Sequence, residues 1–351
     1  MTPETPILTV RDLRVHFPVR RGIIPRPVAA VKAVDGVSLA IAPGRTIGLV
    51  GESGCGKTTL GKAIVRLLKP VGGSIHFHGV DITAMGQRRL RPLRRQFQMI
   101  FQDPAESLDP RMSVRGLIEE PLVIHRIGNR RERRAAVNEL LDLVGLPAAS
   151  ADRYPFEFSG GQRQRIGIAR ALALRPGLII CDEPVSALDV SVQSQILNLL
   201  VDLQREFGLA YLFIAHDLSV VKHISDTVAV MYLGRIVEMA ASEEIYRNPR
   251  HAYSQALLAA IPSHNPRHRE TRTLLEGDVP SPIDPPAGSA FGHRMGHPLY
   301  EQTIGADLSL REFAPGHWVA ADPCCVSAAD HAALSKAPVF DPALPAVTPP
   351  A

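Results

Sequence analysis

One short stretch carries the strongest chemical signal in this chain. Gly51, Gly56, Lys57 and Thr58 follow the spacing G-x-x-x-x-G-K-[ST], with Glu52, Ser53, Gly54 and Cys55 between them and Thr59 next. Glycines let a backbone wrap so that its N–H groups converge on phosphate oxygens, and a following helix adds the positive end of its dipole. In that arrangement Lys57 reaches the β- and γ-phosphates of a nucleotide, and the Thr58 hydroxyl ligates Mg²⁺. A chance glycine turn is the competing explanation. It is weakened by context, because the stretch lies between a strand pattern and a helix pattern, as the motif demands.

Two further stretches fit the same chemistry. The apolar run 177–181 ends in adjacent carboxylates, Asp182 and Glu183. Ligands bind at the C-terminal ends of strands in an open α/β sheet. Asp182 is therefore expected to hold Mg²⁺ through its shell, and Glu183 to polarise the water that attacks the γ-phosphate. Ser159, Gly160, Gly161 and Gln162 open a helical pattern that runs through Leu172. Backbone amides and a dipole at such a start attract an anion. Ser159 as a plain helix N-cap competes with that reading on local evidence.

These residues need elements to position them. Leu13, Val15 and Phe17 recur at period two, as do Val37, Leu39 and Ile41, which predicts two β-segments split by an Arg/Pro/Gly insertion over 18–26. Strands are expected over 46–50, 74–78, 97–101, 177–181 and 210–215, with a hairpin of 228–232 and 235–239 across Leu233-Gly234. Residues 130–146 place Val137, Leu140, Leu141 and Val144 on one helical face, with Gly145 as a stop. Helices are also expected over 191–207 and 253–261. Alternation of strand and helix implies an α/β fold with a mainly parallel sheet.

Composition narrows the class without naming it. The 351 residues are 45% hydrophobic and 21% charged, which is ordinary for a globular protein. Four cysteines do not make a disulfide scaffold. No apolar run approaches the roughly 18–20 residues that cross a bilayer. The opening MTPETPILTV lacks a basic n-region and an apolar h-region, so a cytosolic, reducing location is expected. Residues 1–250 carry 33 basic and 25 acidic side chains, whereas 251–351 carry 6 and 10. A basic front half suits nucleotide phosphates, nucleic acid or an anionic membrane, and charge alone does not choose. The arginine runs 88–95 and 130–134 are not interleaved with aromatics, so solvated helix faces are expected there rather than nucleic-acid contacts.

The ordered set of motifs resembles the ATP-binding-cassette (ABC) ATPases: Gly51–Thr59, Gln102 in Phe-Gln-Asp-Pro, Ser159–Gln162, Asp182-Glu183-Pro184, Asp189 in Ser-Ala-Leu-Asp, and His216 after a strand. The resemblance covers about residues 7–245. It implies a P-loop cassette with a mainly parallel sheet, an antiparallel β-subdomain and a helical subdomain inserted at about 105–175. It further implies ATP and Mg²⁺ as cofactors and a head-to-tail dimer, in which Ser159–Gln162 of one subunit covers ATP on the loop of the other. By the same resemblance Gln102 senses Mg²⁺ and the attacking water, Asp189 links the two sites and His216 contacts the γ-phosphate. Mg²⁺ is expected on Thr58, Gln102 and Asp182. Phe17 is the expected adenine-stacking residue, with His16 as second candidate.

Within that family the stretches 17–22, 98–104, 107–112 and 158–170 look like the oligopeptide/dipeptide (peptide/nickel) importer ATPases. So do 251–262 and 275–288, which resemble the short extension of that branch. The expected domains are an ATPase domain at 1–249, an importer-type extension at 250–323 and a disordered tail at 324–351. The branch often carries Cys-x-Phe-x-x-Arg-Cys in its extension, suited to an iron–sulfur cluster. Here the frame reads Ser289-Ala-Phe291-Gly-His-Arg294-Met295, and Cys324 and Cys325 are adjacent, so no cluster is expected. His293 and His297 are expected to be surface histidines rather than metal ligands.

The resemblance implies an ATPase that powers solute uptake from the cytoplasmic face of the inner membrane, most plainly of dipeptides or oligopeptides. Its partners would be two membrane-spanning permease subunits, a second homologous ATPase and an extracytoplasmic solute-binding protein, with no nucleic acid. Nickel or another small solute is the alternative cargo, and a soluble nucleic-acid-acting ABC ATPase is the more distant rival. A signalling GTPase is disfavoured, because no Asn-Lys-x-Asp is present to read guanine.

Overall fold

The computed structural model describes residues 5–21, 26–103, 107–260 and 277–342. In chain order the elements before residue 100 are β1 (Leu8–Arg21), β2 (Arg26–Ile41), β3 (Thr46–Val50), α1 (Lys57–Ile64), β4 (Gly72–Phe77), β5 (Val80–Asp81), α2 (Gln87–Leu93) and β6 (Phe97–Ile100). Then come α3 (Val114–Ile124), α4 (Arg130–Leu143), α5 (Gly160–Leu172), β7 (Leu178–Asp182), α6 (Val190–Phe207), β8 (Ala210–Ile214) and α7 (Leu218–Ile224). The remainder is β9 (Thr227–Tyr232), β10 (Arg235–Ala241), α8 (Ser242–Arg247), α9 (Ala252–Ala259), α10 (Ala290–Arg294), β11 (Leu310–Ala314), β12 (His317–Ala320) and α11 (Ala328–Leu334). The chain divides into two compact units, one of 1–42, 47–84 and 216–351, the other of 43–46 and 85–215.

The first unit contains an antiparallel sheet in the order β2-β1-β4-β5. Val10 and Leu13 are both fully buried although an odd number of steps separates them. A regular strand would turn one of them outward. The register shifts between them, and Asp12 takes φ +45°, so a bulge brings both to the same face. The strands do not stop at 18, as the Arg/Pro/Gly insertion suggested. Pairing continues through Val19↔Ala29 and Arg20↔Pro27, so β1 and β2 stay paired into the insertion from both sides. Residues 22–25 lie outside the described part.

The same unit holds the strand order β11-β12-β10-β9-β3. β3 and β9 run parallel, and the others pair antiparallel. Gly48 in β3 has a structural reason: a Cβ there would lie 2.2 Å from Val221 Cγ1 of α7. The C-terminal extension adds β11 and β12 to the edge of β10, through Glu238↔Val319 and Met239↔Trp318. Residues 324–342 correct the expectation of a disordered tail from 324. Cys324 and Cys325 are buried, and α11, capped by Ser327, buries Leu334 beside Val319 and Ala321. Scattered anchors hold this segment, among them buried Cys324, Cys325 and Leu334 and the edge-on contact of Phe340 with Trp318 at 5.0 Å, and they do not register as a periodic pattern. Residues 343–351 of the expected tail lie outside the described part.

The second unit is the more regular α/β piece. β6, β7 and β8 are parallel, and every residue of β7 and β8 is buried. Burial on both faces explains why these strands read as continuous apolar runs. α4 starts with a capping box, Asn129 with Glu132, and buries Val137 and Leu141. Most of the arginines in the two runs are exposed, and one of each serves the unit itself: Arg133 pairs with Glu119 at 2.8 Å, and Arg91 donates to the Ile124 carbonyl at 2.8 Å.

Candidate nucleotide site

The glycines of the loop after β3 are required by the backbone around them. Gly51 has φ +153° and Gly56 φ +107°. A Cβ on Gly51 would meet the Met231 carbonyl at 2.1 Å, and one on Gly56 the Ala33 carbonyl at 2.0 Å. The loop is therefore threaded between β2 and the end of β9, with no room for a methyl group. Ser53 and Gly54 form its exposed crest, while Gly51, Cys55 and Lys57 are buried. Lys57 opens α1, and its Nζ donates to the Gly51 carbonyl at 2.7 Å and the Glu52 carbonyl at 3.0 Å. The ammonium is thus folded back over the loop that a phosphate would enter. Thr58 and Thr59 follow in the first turn of the helix. Burial raises the Cys55 thiol above its ordinary range despite the opposing pull of Lys57, so proximity to the cation does not activate it.

Phe17 pairs with Val31 in the β1–β2 hairpin and keeps 39% of its surface exposed, whereas His16 is tied to Asp35 at 3.1 Å. A free aromatic face therefore belongs to Phe17. His216 is exposed, two residues past the end of β8.

In the second unit, β7 delivers its carboxylates as the apolar run implies. Asp182 is buried at the strand end. Glu183 sits at φ +45°, a left-handed conformation for a residue with a side chain. Such strain persists where the surroundings hold it. Here the Glu183 N–H donates to the Ile214 carbonyl at 3.0 Å, and Gln102 Nε2 donates to Glu183 Oε2 at 3.0 Å. Two residues 81 positions apart, each singled out in the sequence, therefore touch. Residues 104–106 after this glutamine lie outside the described part.

Ser159–Gln162 opens α5 with a complete capping box. Ser159 Oγ accepts from the Gln162 N–H at 3.4 Å, and Gln162 Oε1 accepts from the Ser159 N–H at 3.1 Å. The N-cap role and an anion-binding role thus coincide at one exposed helix start. The two glycines fit the start of α6 closely: a Cβ on Gly161 would lie 2.4 Å from Val192 Cγ1, and one on Gly160 3.2 Å from Leu188 Cδ2. Asp189 caps α6 by accepting from the Val192 N–H at 3.0 Å. A hydrogen bond from the Ser191 hydroxyl leads in holding its carboxyl below the usual range.

Two family models match the chain: ABC transporter over residues 34–186, and oligopeptide/dipeptide transporter, C-terminal region, over 237–296. The chain is 52% identical to the oligopeptide transport ATP-binding protein AppF of Bacillus subtilis (strain 168) over 319 residues, covering 90% of this chain and 96% of that protein. The chain belongs to the ATP-binding subunits of the oligopeptide/dipeptide ABC transporters. It is also 49% identical to the dipeptide transport ATP-binding protein DppF of Escherichia coli (strain K12), over 84% of this chain and 87% of that protein. Among solved structures it is similar to the dimeric post-hydrolysis state of the ATP-binding cassette MJ0796 bound to ADP and phosphate. That likeness has TM-score 0.60 and 27% identity, and covers 67% of this chain and 98% of that one. Another neighbour is cbiO1 from Clostridium perfringens, part of the transporter complex cbiONQ, at TM-score 0.60 and 28% identity over 70% and 92% of the two chains. The fold is thus the α/β P-loop cassette of an ABC ATPase, and the chain is an ATPase of that class.

The extension of this ABC ATPase holds a second polar cluster. His251, Asp322 and Cys325 are buried with ligand atoms within 4.8 Å of one another. Ser289 Oγ donates to Asp322 and lies 3.6 Å from Cys325 Sγ. His251 Nδ1 accepts from the Tyr253 N–H at 3.2 Å, so the neutral ring carries its proton on Nε2. That tautomer offers a donor, not a lone pair, at Nε2. Both thiols are raised by burial, Cys324 to about 11 and Cys325 further still. An iron–sulfur cluster wants four thiolates, and the described residues place only these two adjacent cysteines here. The donor set does not fit such a cluster. Of the nearby histidines, His293 stacks edge-on against Tyr300 at 5.0 Å, and His297 Nδ1 accepts from the Leu299 N–H at 3.2 Å.

Tyr253 and Arg294 reach the nucleotide loop without having been singled out for it. The Glu52 N–H donates to the Tyr253 hydroxyl at 2.9 Å, and Arg294 pairs with Glu52 at 2.8 Å. These contacts join residues 201 and 242 positions apart. Only a fold can place them together, because no local spacing encodes them.

Proposed function

We propose that this chain works as a peripheral subunit on the cytoplasmic face of the cell membrane, with Glu183 as the general base of its ATPase. The chain is the ATP-hydrolysing subunit that powers peptide import. The Gln102–Glu183 hydrogen bond carries the catalytic reading, because it joins the amide expected to position water to the carboxylate expected to accept its proton. Lys57 and the Gly51–Thr59 amides hold the β- and γ-phosphates, and His216 donates to the γ-phosphate. Phe17 stacks on adenine.

Mg²⁺ would be held by the Thr58 hydroxyl, the Gln102 amide oxygen and the Asp182 carboxylate, a set of hard oxygen donors that suits the ion. When bound, it neutralises charge on the phosphate oxygens. Two cassettes close head to tail, so that Ser159–Gln162 of one covers the nucleotide on the other's Lys57 loop. Asp189 couples the two sites. The differential affinity of ATP for the closed pair drives closure, and hydrolysis releases it.

The partners in this reading are two membrane-spanning permease subunits, a second homologous ATPase and an extracytoplasmic solute-binding protein. No helix among the described residues is long and apolar enough to cross a membrane, so the transport path belongs to the permeases. An iron–sulfur cluster has no part in it, since Ser289 and Met295 stand where the branch's frame has cysteines.

Reconstitution in proteoliposomes with peptide-importer permeases and a peptide-binding protein from the same organism tests the proposal. Di- and oligopeptides should stimulate ATP hydrolysis and accumulate in the transport compartment. Stimulation by nickel complexes or by DNA, with none by peptides, would overturn it.

A further inference from the structure

Among the described residues, the C-terminal extension grips the nucleotide loop at Glu52. Its three polar handles are all engaged. Its N–H donates to the Tyr253 hydroxyl at 2.9 Å, its carboxylate accepts from Arg294 Nη1 at 2.8 Å, and its carbonyl accepts from Lys57 Nζ at 3.0 Å. The first two partners come from α9 and α10, within the segment matched as the oligopeptide/dipeptide C-terminal region.

The grip is built rather than incidental. Arg294 keeps only 7% of its side chain exposed, and its Nε donates to the Gly277 carbonyl at 3.0 Å, which orients the guanidinium. Tyr253 is fully buried. Its ring packs against Tyr232 at 4.6 Å and Phe291 at 5.3 Å, and those two meet edge-on at 5.4 Å. The aromatic cluster therefore fixes where the hydroxyl points. Phe291 and Arg294 are the two residues of the cysteine frame that this chain retains, and both serve this contact.

We infer that Tyr253 and Arg294 are positioning residues for ATP: by locking the Glu52 peptide they fix the carbonyl on which Lys57 rests, and so preset the loop for phosphate. A loop ordered before binding loses less freedom when the ligand arrives, which lowers the dissociation constant. Both residues act on the loop through Glu52, so the effect falls on nucleotide affinity and KM rather than on the hydrolytic step. The inference rests on the reading of Gly51–Thr59 as the ATP loop.

The test uses the purified full-length chain, a fluorescent N-methylanthraniloyl ATP with Mg²⁺, and steady-state hydrolysis. Arg294→Gln and Glu52→Gln should each weaken nucleotide binding by about 5- to 20-fold, less than the roughly 10- to 150-fold worth of a charge-assisted bond because the lost bond orders the loop rather than touching the nucleotide. The double variant should be no worse than the weaker single one, because both remove the same contact. Arg294→Lys should recover part of the loss by restoring the charge, and Tyr253→Phe should raise KM more than it lowers kcat. Wild-type affinity in Glu52→Gln would overturn the inference, as would losses that multiply in the double variant. Should Arg294→Gln destabilise the extension, Glu52→Gln still decides, since it leaves α9 and α10 intact. Lys57→Ala separates the two levels: normal nucleotide binding there would sink the loop assignment itself, whatever the other variants do.

Discussion

Gln102 Nε2 donates to Glu183 Oε2 at 3.0 Å, and Glu183 holds this position in a left-handed backbone conformation. Gln102 lies two residues past the end of β6, and Glu183 directly follows β7, the strand that pairs with β6 in parallel. The strand ladder fixes their separation, and the amide then aims the carboxylate. A general base contributes about 10²–10⁴-fold to a rate. Glu183→Gln is therefore expected to lower single-turnover ATP hydrolysis by about that factor while ATP still binds. Gln102→Ala, which leaves the base in place but unaimed, should cost less. Single-turnover hydrolysis of radiolabelled ATP beside a filter-binding assay measures both. Hydrolysis at the normal rate in Glu183→Gln would remove it as the base.

Gly56 is the tightest point of the nucleotide loop. An added methyl would lie 2.0 Å from the Ala33 carbonyl, at a φ of +107° that L side chains rarely adopt. Both penalties act in Gly56→Ala, and together they should cost about 2–4 kcal/mol of stability. Nucleotide binding should be lost at the same time, because the loop must move off its path. Gly54, also at positive φ but with nothing within 4 Å of its would-be Cβ, provides the contrast. Gly54→Ala should retain the fold and shift the thermal midpoint by less. Differential scanning fluorimetry with and without Mg-ATP distinguishes the two.

The strands and the site were legible in the sequence where one local cause sufficed. β7 and β8 are buried on both faces, so their apolar runs are continuous. The loop needs glycine at Gly51 and Gly56, and the motif records that need. Legibility failed where the cause was distant. The bulge at Asp12 hides the continuity of β1, and β11 and β12 form by pairing onto β10 rather than from their own pattern. The segment 324–342 looked unstructured because a few apolar contacts anchor it. Tyr253 and Arg294 were visible as residues, but their contact with Glu52 spans more than 200 positions.

Cys55 illustrates how burial overrides a nearby cation. Its thiol lies 3.8 Å from Lys57 Nζ, yet burial lifts it above the ordinary thiol range. Only the thiolate alkylates, so Cys55 should resist modification in the folded chain. Treatment with iodoacetamide at pH 8, followed by peptide mass spectrometry, should find Cys55 unmodified in the native protein and modified in urea. Rapid native labelling at Cys55 would show that the loop opens far enough to expose it.

The extension should make the protein acid-labile in two separable steps. His251 is fully buried, and burial lowers its pKa below 6.5 against the opposing pull of Asp322 and Glu238. The unfolded chain then binds a proton that the folded chain refuses. Stability must fall as pH drops below about 6.5, until the folded pKa is passed. Glu238 is the second group. Burial works to raise it, but hydrogen bonds led by the one from His317, with the Arg250 N–H also donating, outweigh burial and hold it below 4.5. His317 Nε2 lies 2.8 Å from Glu238, and both are almost completely enclosed. A depressed carboxylate contributes stability that is complete above about 4.5 and is lost as pH falls through the lower, folded value. Glu238→Gln leaves two backbone N–H groups facing an amide in place of a carboxylate, at a cost of about 3 kcal/mol near neutral pH. The wild-type advantage over Glu238→Gln should shrink as pH falls below 4.5. His251→Asn should instead flatten the slope between pH 6.5 and 5. Thermal unfolding midpoints at half-unit steps from pH 8 to 4 read both windows. A Glu238→Gln deficit that stayed constant through acid would mean that the carboxylate's charge contributes nothing to holding β10 against β12.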